Sequence, residues 1–318
     1  MSKFQPIEFY AHQEPTNYQL LPFRFSELNF HKYLLTNLAG EFHTLDKSKL
    51  KVFASHQLAS DDPDYIDLRA KQFLLDVHNA IAPELLALKI RTKYRRLAEF
   101  TGLHIFVVSL RCEHSCPYCQ VSRQSEDKAA FDMTLEIAEK ALDLVFRSPS
   151  QAIKIEFQGG EPLLNFELIQ QIVLSAEARN KSANKILGFV IATNLALINR
   201  DILAFCKDHK IHISTSLDGP QDLHNKNRPR PGKDSYERVM QGIELVREVL
   251  GKDQVSALMT TTQDSLTRVR DIIDEYLRHD FEGIFLRPLS PYGFAIKTKS
   301  FRSYKVDEWL EFYKEGLN

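Results

Sequence analysis

The chain is 318 residues long, 43% hydrophobic and 26% charged, which suffices for a sizeable core and, at roughly 150 residues each, about two domains. Its 41 Lys and Arg nearly balance 42 Asp and Glu, for a net charge of −1, excluding a bulk field that would recruit nucleic acid or an anionic membrane surface. No apolar run approaches the ~18 residues of a membrane span, and the polar start Met1-Ser2-Lys3-Phe4-Gln5 lacks the apolar segment of a secretion signal, so a cytoplasmic protein with no nucleic-acid or membrane partner is expected.

The first hundred residues read as a small α+β module. Tyr33-Asn37 and Glu41-Leu45 pattern as two strands joined at Leu38-Ala39-Gly40, and helix-like periodicity follows near Asp46-Ser55 and Tyr65-Ile81. The basic run from Lys89 to Arg96 ends that pattern, so the predicted domains are 1–97 and 98–318. From there short apolar runs alternate with amphipathic ones. The predicted strands are His104-Leu110, Ala152-Phe157, Gly188-Thr193, Ile211-Leu217, Val255-Thr261 and Gly283-Arg287; the predicted helices are Thr134-Phe146, Asn165-Arg179, Arg200-Asp208, Tyr236-Leu250 and Leu266-Arg278. Every connection is long enough for a right-handed crossover, which predicts an α/β fold, a partial (β/α)6 TIM-type barrel. A sixth helix begins at Val306 and the sequence stops at Asn318, which reads as a truncated protein.

Three of the four cysteines fall within Cys112-Glu113-His114-Ser115-Cys116-Pro117-Tyr118-Cys119, a C-x3-C-x2-C loop after the first predicted barrel strand. Three thiolates in one small volume need a metal to offset their charge. Structural zinc would want a fourth ligand, with His114 inside the loop as a candidate; an iron–sulfur cube held by three cysteines instead leaves one iron open to an external ligand. The remaining signals each close a predicted strand: Phe157-Gln158-Gly159-Gly160-Glu161-Pro162, Ala192-Thr193-Asn194, Ser216-Leu217-Asp218-Gly219, Thr260-Thr261-Thr262 and Arg287-Pro288. Strand ends of a parallel barrel share one face, where such folds put their sites. Taken singly these signals have plainer readings, a shaped turn for Gly-Gly-Glu-Pro, helix caps for Ser216 and Asp218, a solvated surface residue for Arg228. In a chain with only 12 glycines the functional reading is close backbone approach to a ligand, with Glu161 available to a cation and the Arg228 guanidinium suited to a carboxylate.

Together the cysteine loop, the Gly-Gly-Glu-Pro turn and the Ser-Leu-Asp-Gly-Pro stretch resemble the radical S-adenosylmethionine (radical SAM) superfamily over roughly residues 98–318. The resemblance implies that Cys112, Cys116 and Cys119 ligate a [4Fe-4S] cluster whose open iron chelates S-adenosylmethionine, and that an electron from the cluster releases a 5′-deoxyadenosyl radical that abstracts hydrogen from the substrate. It further implies that Gly159, Gly160 and Glu161 meet the methionine amino group, that Ser216 and Arg228 meet the ribose or carboxylate, that Tyr118 offers its backbone to the adenine, and that Thr193 and Asn194 lie close to the nucleoside.

More narrowly, Phe157–Phe166, Leu217–His224 and Leu286–Gly293 resemble the peptide-modifying branch that includes sulfatase maturases, and Leu21–Phe25 with Leu34–Phe42 is similar to the radical maturases of His-Xaa-Ser peptide systems. That resemblance implies maturation of a ribosomally made precursor peptide, with an electron donor such as flavodoxin or ferredoxin. The N-terminal module would then grip the peptide leader by strand addition to the Tyr33-Leu45 hairpin, or else serve only as a packing cap on the barrel. Such maturases continue into a cysteine-rich domain with auxiliary clusters, whereas the one cysteine beyond the loop is Cys206, read as a small buried apolar residue. Formylglycine formation on a sulfatase and a truncated, non-catalytic cofactor- or peptide-binding protein are the alternatives.

Overall fold

The structure is a computed structural model that describes residues 17–318 except 77, 79, 80 and 126, so the chain start at 1–5 lies outside the described residues. It divides into two compact units, Met1–Ala98 and Glu99–Asn318.

In the N-terminal unit, β1 (Gln19–Leu20) pairs antiparallel with β5 (Leu74–Leu75), and β2 (Phe23–Glu27), β3 (Lys32–Asn37) and β4 (Phe42–Asp46) form a three-stranded antiparallel sheet in that order. The predicted hairpin is therefore β3–β4, with a third strand laid on its open side. Phe23 and Phe25 alternating with Arg24 and Ser26 was the available signal for β2. The helices are α1 (Lys47–Ala54), α2 (Pro63–Ala70) and α3 (Ala82–Tyr94).

Here the prediction of one helix over Tyr65-Ile81 is corrected. Gln72 takes a positive φ of 56° after α2, and the chain turns into β5, its Phe73 and Leu74 fully buried. The basic run closes α3, where Arg91 and Lys93 of the last turn complement the helix dipole. Phe53, Tyr65, Leu68, Phe73 and Leu74 pack with Tyr18, Leu35 and Leu45 as this unit's core.

The second unit carries six parallel strands, β6 (Leu103–Ser109), β7 (Ala152–Gly159), β8 (Ile186–Ala192), β9 (Ile211–Ser216), β10 (Val255–Thr260) and β11 (Leu286–Arg287), each neighbouring the next in sequence. The sheet ends at β6 and β11 without joining them, the partial barrel expected from the sequence. Its helices are α4 (Lys128–Phe131), α5 (Leu135–Phe146), α6 (Phe166–Ala183), α7 (Arg200–Asp208), α8 (Gln221–Asn227), α9 (Ser235–Leu250), α10 (Val269–Arg278), α11 (Phe294–Lys297) and α12 (Val306–Leu317). The last strand is two residues rather than five, because 283–285 leave the ladder.

Parallel strands covered on both faces read as continuous apolar runs; β7, β9 and β10 alternate instead. Ile153, Ile155 and Phe157 of β7, Ile211 and Ile213 of β9, and Val255, Ala257 and Met259 of β10 are buried in one core with Leu142, Ile169, Leu203, Ile243 and Ile272 of the helices. The residues between them, Glu156, Gln158, Ser214, Ser216, Leu258 and Thr260, border a cavity instead. The alternation is thus the sequence trace of an inner face left open for a ligand. Cys206 is fully buried in α7, and burial pushes its thiol up to about 12, which makes it inert.

Candidate active site

The cavity, about 200 Å³, opens at the C-terminal ends of the strands. One water needs about 10–15 Å³ by a comparable measure, so the space suits a small molecule rather than a lone ion. Its walls include Cys112, Cys116 and Cys119, the turn Gly159-Gly160, Thr193 and Asn194 after β8, Ser216 closing β9, and Tyr118 and Arg228. Every predicted site residue except Glu161 borders this one space.

The Gly-Gly turn is required by close approach. Gly159 has φ +150°, and a Cβ there would stand 2.0 Å from the Ser109 carbonyl oxygen; a Cβ on Gly160 would stand 2.2 Å from that of Arg111. Gly160 donates its N–H to Ser109 (2.8 Å) and Glu161 donates to Arg111 (2.7 Å), so the turn is laced to the segment that leads into Cys112. Arg111 is held in turn by Asp132 (Nε–Oδ1 2.8 Å, Nη2–Oδ2 2.7 Å) and by the Leu164 carbonyl (2.7 Å).

Glu161 corrects the expectation of a free carboxylate. It is fully buried, and its oxygens accept from Leu163 N–H (3.0 Å), the Thr193 hydroxyl (2.7 Å) and Asn194 N–H (2.9 Å). It therefore ties the ends of β7 and β8 together beneath the cavity. Burial, and then the charge of Glu113, raise its carboxyl to about 8.

Glu113 goes the other way. Burial pushes it up, but hydrogen bonding from His114 and Asn194 outweighs burial and holds it below its ordinary value. Asn194 Nδ2 lies 2.7 Å and His114 Nδ1 3.1 Å from its Oε1. Among the described residues its Oε2 is buried without a partner, as is the Thr215 hydroxyl at the cavity wall.

Burial raises all three loop thiols, Cys112 well above its ordinary value and Cys116 up to about 12. Converting them to thiolates requires a cationic group in the cavity. His114, the zinc alternative, has its Nδ1 3.1 Å from Glu113 and 2.9 Å from Asn194 Nδ2, and one donor atom each from Cys112, Glu113 and His114 lies within 4.8 Å of the others. Three sulfur donors, unpartnered buried oxygens and room beyond an ion fit a metal–sulfur group with a small-molecule ligand.

The sequence places Asp218 in a strand-closing signal and, taken singly, offers it as a helix cap. It is instead fully buried and caps nothing: it accepts from Arg228 (Nε 3.0 Å, Nη2 3.3 Å), from Thr260 N–H (3.2 Å) and from the Tyr118 hydroxyl. Arg228 is accordingly buried on a carboxylate of this chain rather than solvated. Glu113, Arg111 and Asp132 are likewise unanticipated, since Asn194 lies 81 residues from Glu113 and Asp132 lies 21 from Arg111.

The model of the radical SAM superfamily matches residues 106–285, more than half of the chain. A cysteine-type anaerobic sulfatase-maturating enzyme of Clostridium perfringens is 25% identical over 230 residues, covering 68% of this chain and 61% of that one. The radical SAM cyclopropyl synthase TigE of Paramaledivibacter caminithermalis is 29% identical over 156 residues, covering 45% and 32%. Among solved structures, native anSMEcpe with bound AdoMet and Cp18Cys peptide shares the fold at TM-score 0.56 and 22% identity, over 67% of this chain and 58% of that one. The chain spans about half to three fifths of the length of the first curated relatives it matches. Among the described residues no helix is long and apolar enough to cross a membrane.

Proposed function

This chain belongs to the radical SAM superfamily and is related to the anaerobic sulfatase maturases, and on that premise we propose that it abstracts hydrogen from a ribosomally made peptide in the course of its maturation. The family's cofactors are a [4Fe-4S] cluster and S-adenosylmethionine. In this reading Cys112, Cys116 and Cys119 hold the cluster, and the observation that carries it is their convergence with the Gly159-Gly160 turn and the ends of β8, β9 and β10 on one cavity. When bound, the two cofactors supply the one-electron chemistry that ends in hydrogen abstraction; the barrel supplies orientation and exclusion of water.

The chain's own residues do the holding. The backbone of Gly159 and Gly160 receives the amino group of the methionine moiety, a role Glu161 serves only by fixing the turn. Thr193 and Asn194, fastened by Glu161, face the nucleoside, and the Tyr118 backbone faces the adenine. The Ser216 hydroxyl is offered to the ribose or carboxylate. A peptide substrate is supported by a fold relative solved with AdoMet and a peptide together, and the reductant is a one-electron carrier protein such as flavodoxin or ferredoxin.

For the N-terminal unit, taken as residues 1–97, we propose a grip on the peptide leader by strand addition. Because β3 is paired on both sides, the free ladders of this three-stranded sheet, among the described residues, are the outer edges of β2 and β4. Fluorescence titration of the full chain with precursor-type peptides tests this, and no saturable binding would remove it.

The experiment for the activity is anaerobic reconstitution with iron and sulfide, then dithionite and S-adenosylmethionine. Formation of 5′-deoxyadenosine is expected, and its absence despite a confirmed cluster leaves only a binding role. A sulfatase-type peptide separates the second reading, suggested by the 25% identity to a sulfatase maturase, because only that reading yields an aldehyde product.

A further inference from the structure

The three-cysteine loop is held from one side by a single charged pair. Asp218, at the end of β9, is fully buried and receives Arg228 through two nitrogens, Nε at 3.0 Å and Nη2 at 3.3 Å. It also receives the hydroxyl of Tyr118, which sits between Cys116 and Cys119, and Thr260 N–H (3.2 Å) from β10. The Arg228 guanidinium lies 5.5 Å from the centre of the Tyr118 ring. The next residue, Pro229, accepts Ser115 N–H at 2.7 Å. Cys116 is therefore bracketed, at Ser115 and at Tyr118, by residues bonded to Asp218 or to Pro229 beside Arg228. Two of the guanidinium's three nitrogens are committed to Asp218, so the orientation of Arg228 at the cavity wall is fixed by that carboxylate.

The pair puts a positive and a negative charge where water is largely excluded, a setting in which charges act strongly on a nearby redox centre. A fixed cation favours the more negative, reduced state of an adjacent cluster, and a fixed anion disfavours it.

We infer that Asp218 and Arg228 are positioning residues that brace the three-cysteine loop and, through their opposed charges, set the reduction potential of the cluster held there. The inference rests on the cluster reading proposed above. It also predicts a signature that a bracing role alone does not produce: the two charges move the potential in opposite directions.

The test uses the full chain, reconstituted anaerobically, with iron assayed per chain and the cluster potential measured by dye-mediated titration followed by electron paramagnetic resonance. Arg228→Gln shifts the potential more negative, Asp218→Asn shifts it more positive, and Arg228→Lys, which keeps the charge, stays close to the wild type. Wild-type protein without about four irons per chain would sink the cluster reading itself. Iron-loaded variants whose potentials are unmoved, or move in the same direction, overturn this inference alone. So does an Arg228→Gln protein with unchanged potential and at least tenfold weaker S-adenosylmethionine binding, which returns Arg228 to the ligand. Where a single variant strands a charge and does not load iron, the double variant Asp218→Asn/Arg228→Gln decides: recovered loading supports the pair, continued loss overturns it.

Discussion

Replacing Gly160 with Ala perturbs the junction on which the whole site hangs. The added Cβ would stand 2.2 Å from the Arg111 carbonyl oxygen, 2.7 Å from its carbon and 2.8 Å from the Leu110 oxygen, where side-chain carbons keep at least 3.0 Å. All three are backbone atoms, so no side chain can swing away and the two strand ends must separate. A separation of about 1 Å stretches Gly160 N–H to Ser109 O and Glu161 N–H to Arg111 O, now 2.8 and 2.7 Å, past hydrogen-bond range.

Two lost bonds at about 1 kcal/mol each, with an overpacking cost of about 1–3 kcal/mol, predict a loss of about 3–5 kcal/mol. Because Arg111 precedes Cys112, iron loading falls as well. Chemical denaturation of the apoprotein measures the first effect and iron content after reconstitution the second. Gly188→Ala is the control, since an added Cβ there meets nothing within 4 Å; it should be neutral or stabilising by about 0.5 kcal/mol. A Gly160→Ala protein as stable as that control, with full iron, would refute the close-approach account of the Gly-Gly turn.

Asp132→Asn strands the Arg111 guanidinium, only 10% exposed, and should cost about 3–5 kcal/mol in urea denaturation. Burial pushes the Asp132 carboxyl up, but its bonds from Arg111 and Ser109 prevail and hold it below its ordinary value; its contribution is present above pH ~4 and disappears as acid protonates it. His224 is buried and pushed down to about 3 by burial, with its Nδ1 accepting Asp218 N–H at 3.2 Å. It stays neutral in the fold while the unfolded chain protonates near pH 6.5, so stability is full above that pH and falls by up to about 1.4 kcal/mol per pH unit below it. A His224→Asn variant should show a shallower acid slope in denaturation midpoints, and an unchanged slope would refute the assignment. Glu161→Ala leaves the Thr193 hydroxyl and the N–H groups of Leu163 and Asn194 without their acceptor; a loss of at least about 3 kcal/mol is expected, and a melt that does not move would show that the loop holds itself.

Periodicity along the chain was enough for the second unit's strands and for most of its helices, because apolar alternation and helical spacing are local properties that the parallel sheet merely assembles. The cysteine loop was legible for the same reason: its spacing fits within eight residues. Strand-end position alone also brought Gly159, Gly160, Thr193, Asn194 and Ser216 to one mouth, since parallel strands leave every C-terminal end on one side.

Side-chain partnership is different. Glu161 reaches Thr193 and Asn194 across 32 and 33 residues, Tyr118 reaches Asp218 across 100, and Arg111 reaches Asp132 across 21. No period relates such pairs. Whether a carboxylate faces a ligand or anchors a loop is decided by burial and by the donors that folding brings to it. Sequence alone therefore determined the barrel, the clustering of three cysteines in its first loop and the face on which the site opens. Only the tertiary structure decided that Glu161 lies beneath the cavity, that β3 is closed on both sides, and that Arg228 is answered by Asp218, because each depends on segments that meet only once the sheets have formed.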